Sequence, residues 1–145
     1  MPASPEQLHA AFSYCMDFAR HMLEDSGESH PFGAKVDESG QVGAVGGLIE
    51  GEEHPKGQDV YALLMQRLRA ELADGRSVAI AVAANVNIPD QYSPRHKDGL
   101  RVTLESAGYS RFIYVPYRLK RAGLFDSKRK VELTQPFSVE LEPPA

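Results

Sequence analysis

The order of its segments predicts that the chain folds as an α+β domain. A helical pattern comes first, two strand-like segments and a second helical pattern follow, and three further strand segments complete the order α-β-β-α-β-β-β. That order, with a hairpin of alternating apolar and polar residues near its end, is typical of a mostly antiparallel sheet. We therefore expect a curved sheet of about five strands with two helices packed on one face.

The first helix is predicted to begin after Ser4 and to end near Gly27. Ser4 and Gln7 have the spacing of a capping box, in which each side chain bonds the other residue's backbone amide, and Pro5 suits the first helical position. From Leu8 to Leu23, apolar residues recur at three- and four-residue spacing. This spacing places them on one face of an amphipathic helix.

The first hairpin is predicted from Phe32–Val36 and Gln41–Ile49, which flank a turn rich in residues that tolerate tight dihedral angles. The return strand is weakened by its glycines, which imply a bulge or a close approach of other atoms to the backbone. Those glycines are Gly43, Gly46 and Gly47.

A second helix is predicted from about Asp59 to Ala73, with Gly75 as its stop. The apolar run Ser77–Ile88 follows and is predicted to be the central strand. Its apolar residues occupy both alternating positions, so a helix or another layer should cover both of its sides at the start. The buried stripe of the helix consists of Val60, Tyr61, Leu64, Leu68 and Leu72.

The second hairpin pairs Leu100–Ala107 with Arg111–Tyr117 around Gly108. Pro116 should lie at the edge or end of its strand, because proline has no amide to donate. The first of the two strands alternates between two sets of residues. Leu100, Val102 and Leu104 are predicted to point inward, and Arg101, Thr103 and Glu105 outward.

The last segment is predicted to add one edge strand, either Val131–Leu133 or Phe137–Leu141, and a loose tail from about residue 142. No repeat or linker divides the chain, so residues 1–145 form a single domain in this interpretation.

The composition favours a cytoplasmic protein. The net charge of −4 and the pI near 5.7 argue against nucleic-acid binding. The single cysteine cannot form an internal disulfide, which fits a reducing compartment. The first residues lack the basic and apolar segments of a secretory signal, and no apolar run approaches the ~20 residues that cross a bilayer. We expect no membrane partner.

No motif predicts a catalytic centre, and we expect no cofactor and no metal. The chain has no nucleophile elbow, phosphate loop or dinucleotide fingerprint. Cys15 lies among apolar residues of the first helix and is interpreted as a buried structural thiol. A metal site would need His30 and His54 to meet beside Glu52 or Glu53. The histidines otherwise lack zinc-site spacing; they are His9, His21, His30, His54 and His96.

Glu105 is the carboxylate with the clearest alternative roles. One interpretation is a cross-strand ion pair with Arg111 or Arg101 on the surface. The other is an acid inside a ligand pocket between the curved sheet and the first helix. The residues predicted to line that pocket are Phe12, Phe32, Glu105, Tyr114 and Tyr117.

The segment from Arg118 to Lys130 carries six basic residues against Asp126. Such a cluster can bind an anionic partner or ligand, and the alternative is an exposed loop that balances an acidic body. The basic residues are Arg118, Lys120, Arg121, Lys128, Arg129 and Lys130.

The stretch His30–Asp37 with its Gly40 turn, followed later by Leu104-Glu105 and Pro116-Tyr117, resembles a pattern in small bacterial proteins with no established activity. Those proteins have a Pro-Phe-Gly/Ala strand, an Asp/Gly turn, and a Leu-Glu strand followed by a Pro-Tyr pair. The resemblance implies a single-domain architecture and nothing catalytic.

Two functional hypotheses follow from the sequence. The first is a non-enzymatic interaction module that acts through a protein contact, with a homodimer as one form, because antiparallel sheets leave edges and faces open for pairing. The alternative is a small-molecule-binding protein or an enzyme that uses the pocket between the sheet and the first helix.

Overall fold

The computed structural model describes residues 3–27, 30–46, 56–121 and 129–142, and it confirms the α+β class and the antiparallel sheet. A single 3-10 turn, Asp90–Tyr92, lies between the third and fourth strands. The elements are α1 (Pro5–Ser26), β1 (Phe32–Val36), β2 (Val42–Val45), α2 (Gly57–Ala73), β3 (Ala79–Asn87), β4 (Asp98–Ser106), β5 (Tyr109–Arg121), β6 (Arg129–Leu133) and β7 (Phe137–Glu140).

The sheet has seven strands in the order β2-β1-β3-β4-β5-β6, with β7 also paired to β5. The expectation of about five strands was too low because both C-terminal candidates, not one, pair with β5. This strand is 13 residues long, so it pairs with β7 near Ile113 and with β6 from Tyr117 onward. Pro116 lies inside β5 rather than at its edge or end, at the point where the neighbouring strand changes from β7 to β6.

The start and end of α1 match the sequence prediction. The amide of Ser4 donates to Oε1 of Gln7 at 2.9 Å, and the amide of Gln7 donates to Oγ of Ser4 at 3.2 Å. Gly27 adopts the left-handed conformation with φ of 78°, and its amide bonds the carbonyl of Leu23. Neither helix of the described residues is long and apolar enough to cross a bilayer.

The two helices pack on opposite faces of the sheet, so the prediction of both on one face was wrong. Strand β3 explains the arrangement, because its alternating residues belong to two separate apolar clusters. Ala79, Ala81 and Ala83 pack in the cluster of α1, whereas Ile80 and Val82 pack with Leu64 and Leu68 of α2. Since β3 is apolar at every position of this stretch, each face needs its own helix.

A second correction follows for β4. Thr103 and Glu105 were predicted to point outward, yet their side chains are 1% and 0% exposed. They share the sheet face of Ile80, which pairs with Glu105 in register, and that is the face that α2 covers. Arg101 on the same face keeps partial exposure.

Close backbone approach occurs at other glycines than those predicted. At Gly43 and Gly46, an added Cβ would meet no atom within 4 Å, and β2 pairs with β1 without a bulge; Gly47 lies outside the described residues. At Gly33, an added Cβ would lie 2.8 Å from Cδ1 of Leu68, and at Gly99 it would overlap the side chain of Ile88. These two glycines therefore permit the tight packing on the α2 face and beside Ile88.

We expect Gly99→Ala to lower the free energy of unfolding by about 1–3 kcal/mol, because the added methyl group overpacks against Ile88. Chemical denaturation of the purified protein measures this change. Gly43→Ala is the matched control, since its methyl group enters open space on a strand and should be neutral or slightly stabilising. Equal destabilisation by the two variants would contradict the packing described here.

Candidate functional site

The five residues predicted to line one pocket lie on both faces of the sheet. Phe12, Phe32 and Tyr117 pack in the apolar cluster of α1. Glu105 lies on the opposite face, because it pairs in register with Ile80, which packs with α2. Tyr114 lies on the same face, because it pairs with Arg101, which alternates with Glu105 along β4. Phe12 does line a groove of about 450 Å³ between α1 and strands β4 and β5, whose other lining residues include Leu8, Leu104 and Ile113.

Glu105 is a buried carboxylate, and its ion pair with the partly exposed Arg69 links α2 to the sheet. Nε and Nη2 of Arg69 each donate to one oxygen of its carboxylate at 2.9 Å, and Oγ of Ser110 donates to Oε2 at 2.7 Å. Burial raises the pKa of Glu105, but the hydrogen bonds from Arg69 and Ser110 and the charge of Arg69 outweigh it and hold the pKa below its ordinary value. The carboxylate thus has a full set of partners and a structural role.

Because the pKa of Glu105 is lower in the folded chain than in the unfolded chain, its ionised form stabilises the fold above the unfolded pKa. That stabilisation is lost as the pH falls through the folded pKa. We expect Glu105→Gln to cost about 1–3 kcal/mol of unfolding free energy near pH 7 and progressively less as the pH falls below the ordinary carboxyl pKa.

Denaturant unfolding of both proteins across that range measures the difference. Glu140→Gln is the control, because Glu140 pairs with Arg111 while its side chain is 78% exposed, and it should change stability little at any pH. A cost for Glu105→Gln that does not change with pH would show that charge is not what the carboxylate contributes.

The basic residues predicted as a binding segment lie mainly on strands rather than in one exposed loop. Arg118 and Lys120 project from β5 toward Glu132 of β6, at 3.4 Å and 2.7 Å. The exposed Lys130 pairs in register with Lys120. Arg121 and Arg129 contribute paired backbone at the ends of β5 and β6, and Lys128 lies outside the described residues.

Cys15 is a buried thiol, as predicted. Its side chain is fully buried, and burial raises its pKa to about 12, so the thiol stays neutral and unreactive at ordinary pH. His54 lies outside the described residues, and among those described no group of three His, Cys, Asp or Glu side chains is placed to hold a metal ion.

The cavity with the clearest chemistry lies on the α2 face, where α2 begins and β3 ends. Its volume is about 500 Å³, within the range of small-molecule sites. Its floor is apolar, formed by Ala84 and Val86 of β3, and the first residue of α2, Gly57, stands at its wall. The remaining lining residues are His30, Pro31, Gln58, Tyr61, Asn85 and Arg101.

Arg101 is the cationic group of this cavity, and two aromatic rings hold it. Its guanidinium carbon lies 4.5 Å from the ring centre of Phe112 and 5.1 Å from that of Tyr61, which are cation–π distances. The Tyr61 ring is itself fixed, because its hydroxyl lies 2.6 Å from Oγ1 of Thr103. Nε of Arg101 is shielded from solvent and has no hydrogen-bond partner among the described residues.

The start of α2 adds positive polarity to the same wall. The N-cap residue, Lys56, makes no side-chain cap, and the amides of Gly57 and Gln58 belong to the first turn, where a helix has no internal acceptors. Such amides and the helix dipole favour negative charge nearby. Asp59 in the first turn is exposed and supplies part of that charge.

Sequence reasoning did not single out Arg101, which it placed on an outward strand face beside Glu105. The strand pairing could have drawn attention to it. Arg101 pairs with Ala84 on one side and with Tyr114 on the other, so a small and an aromatic residue flank it on one face of the sheet. A cation between a small and an aromatic neighbour indicates a recess. The missing information was the side on which α2 lies.

Comparison of the chain with protein-family models, curated proteins and solved structures found no match. Function is therefore argued from the geometry of the cavity alone.

Proposed function

We propose that this chain is a binding protein for a small organic anion, which occupies the Arg101 cavity. The observation that supports it best is the Arg101 guanidinium on the cavity wall, which is held between Tyr61 and Phe112 and forms no ion pair with another described residue. A carboxylate in the cavity would pair with this guanidinium through charge-assisted hydrogen bonds.

The lining narrows the class of ligand. One arginine faces the cavity, so a single carboxylate matches its charge and its planar fork. Pro31, Ala84 and Val86 offer an apolar surface for the rest of the molecule, and Tyr61 offers a ring edge. We infer a monocarboxylate with a compact apolar or aromatic body.

Recognition fits the lining better than catalysis does. His30 lines the cavity and is a residue type that serves as a general acid or base, but the described lining contains no Asp, Glu, Cys or Ser side chain to act with it, and the hydroxyl of Tyr61 is already engaged by Thr103. Nucleophilic and carboxylate acid–base mechanisms require such groups within reach of the reacting atom. Of the hypotheses drawn from the sequence, we therefore propose the small-molecule-binding one, at this cavity on the α2 face instead of a pocket beside the first helix.

We expect aromatic and branched aliphatic monocarboxylates, such as benzoate and 3-methylbutanoate, to raise the melting temperature, whereas their uncharged amides do not. Calorimetric titration of the best ligand should show at least tenfold weaker binding to Arg101→Gln and an intermediate loss for Arg101→Lys, because lysine lacks the planar fork.

Arg111→Gln is the matched control, since Arg111 also stacks on a ring, that of Tyr109, but belongs to the other face of the sheet. It should bind with unchanged affinity. Acids and amides that stabilise the protein equally, or an equal loss of affinity in both arginine variants, would contradict the proposed site.

A second candidate function is the protein contact expected from the sequence, in the form of a homodimer. Phe18 of α1 is 40% exposed, although it is large and apolar. Its ring centre lies 4.7 Å from that of Phe32 and 6.5 Å from that of Tyr14, so an aromatic group reaches the surface at the junction of α1 and β1. Such a group is suited to a symmetric contact with a second copy.

For this candidate, light scattering during gel filtration should give a dimer mass that Phe18→Ser shifts to the monomer mass. Gln66→Ser is the control, because Gln66 is an exposed residue of α2 on the opposite face. A monomer mass for the unmodified chain at about 100 μM would exclude a dimer of ordinary affinity.

A further inference from the structure

A second cavity lies beside the end of α1, and its lining is mainly polar. Its volume is about 640 Å³, and Gly27 of α1 stands at its wall. Asn85 lines both this cavity and the Arg101 cavity, so the two open at the same end of the sheet. The polar side chains of its lining include those of Arg95, His96, Lys97, Asp98, Tyr117 and Arg118.

The charge of this cleft is opposite to that of the chain. Arg95, Lys97 and Arg118 face one carboxylate, that of Asp98, in a protein whose net charge is −4. Arg95 and Lys97 form no ion pair with another described residue. The cleft therefore holds more positive than negative charge, so an anion that binds among the three cations is stabilised by all of them.

The remaining cation, Arg118, is only loosely engaged. Its Nη2 lies 3.4 Å from Oε2 of Glu132, whereas Nζ of Lys120 lies 2.7 Å from the same oxygen. The shorter contact gives Lys120 the stronger interaction with the carboxylate. The guanidinium of Arg118 can therefore turn toward the cleft without leaving Glu132 unpaired.

His96 contributes a buried ring nitrogen. Its Nε2 is shielded from solvent and has no hydrogen-bond partner among the described residues. Buried polar atoms of side chains are rarely left unsatisfied, and an unmatched one on a cavity wall needs an explanation. Because Nε2 has almost no accessible surface, His96 lines the cleft without offering this nitrogen to a ligand.

Tyr117 lines the cleft with an uncharged side chain whose direction is fixed by a hydrogen bond. Its hydroxyl donates to Oδ1 of Asn85 at 2.8 Å, which fixes the direction of both side chains. Burial raises the pKa of the phenol, so Tyr117 carries no negative charge that would compete with a bound anion.

We propose that this cleft binds a phosphate group of a small molecule, held by Arg95, Lys97 and Arg118. Three cations suit the charge of a diphosphate or a phosphate ester, whereas the single arginine of the other cavity suits a monocarboxylate. The two sites rest on different residues, and neither requires the other to be occupied.

Inorganic diphosphate is the probe, titrated by calorimetry into the full chain at 150 mM NaCl, with sulfate and a ten-nucleotide single-stranded DNA in parallel. We expect binding of diphosphate that Arg95→Gln and Lys97→Gln each weaken at least fivefold. Both side chains belong to exposed residues, so neither variant should disturb folding, and melting curves check this.

Two control variants each remove one positive charge from a position outside this cleft. Lys130→Gln changes an exposed lysine outside the cleft, and Arg101→Gln changes the other cavity. Both should keep the affinity for diphosphate within twofold, and Arg101→Gln also separates failure of this site from failure of the carboxylate site.

Three outcomes would overturn the inference. One is no measurable binding of diphosphate at millimolar concentration. The second is an equal loss in Lys130→Gln and Lys97→Gln, which would reduce the effect to net charge. The third is binding of the oligonucleotide at least tenfold tighter than diphosphate, which would assign the basic surface to nucleic acid instead.

Discussion

Strand β3 has to be buried on both faces, and the rest of the architecture depends on that constraint. Ala79, Ala81 and Ala83 are at most 1% exposed on one side, and Ile80 and Val82 are fully buried on the other. The alanines let α1 lie close to the sheet, and the larger residues contact α2. A strand with this composition is unstable at an edge or under a single helix, so the chain forms three layers.

Two helices cannot cover both faces of a seven-stranded sheet completely. On its face of the sheet, α2 packs over β1 and β3. Aromatic rings cover part of β5 on the same face: the ring centre of Tyr114 lies 5.2 Å from that of Phe137 and 5.5 Å from that of Tyr92. Rings packed in this way contribute apolar contact without a further helix. The two cavities proposed as ligand sites open where neither a helix nor this aromatic group covers the ends of β3 and β4.

Local signals were sufficient to predict α1, its capping residues, the second hairpin and the burial of Cys15. They were insufficient to place α2, because alternation shows which strand residues share a face and not which helix lies over that face. The two-sided apolar pattern of β3 indicated that both faces are covered. Assigning one helix to each face requires the long-range contacts of Leu64 and Leu68, which no local pattern reports.

The same limit explains why the sequence drew attention to Glu105 and not to Arg101. Both lie on one face of β4 with Thr103 between them, and α2 runs above that face. Arg69 neutralises Glu105, and Tyr61, eight residues or about 12 Å earlier on the helix, bonds Thr103. One turn further, the helix begins at Gly57, which has no side chain to offer Arg101. Polar pairing between the side chains of α2 and β4 therefore ends at Thr103, and Arg101 contacts the rings of Tyr61 and Phe112 instead of an acidic partner among the described residues.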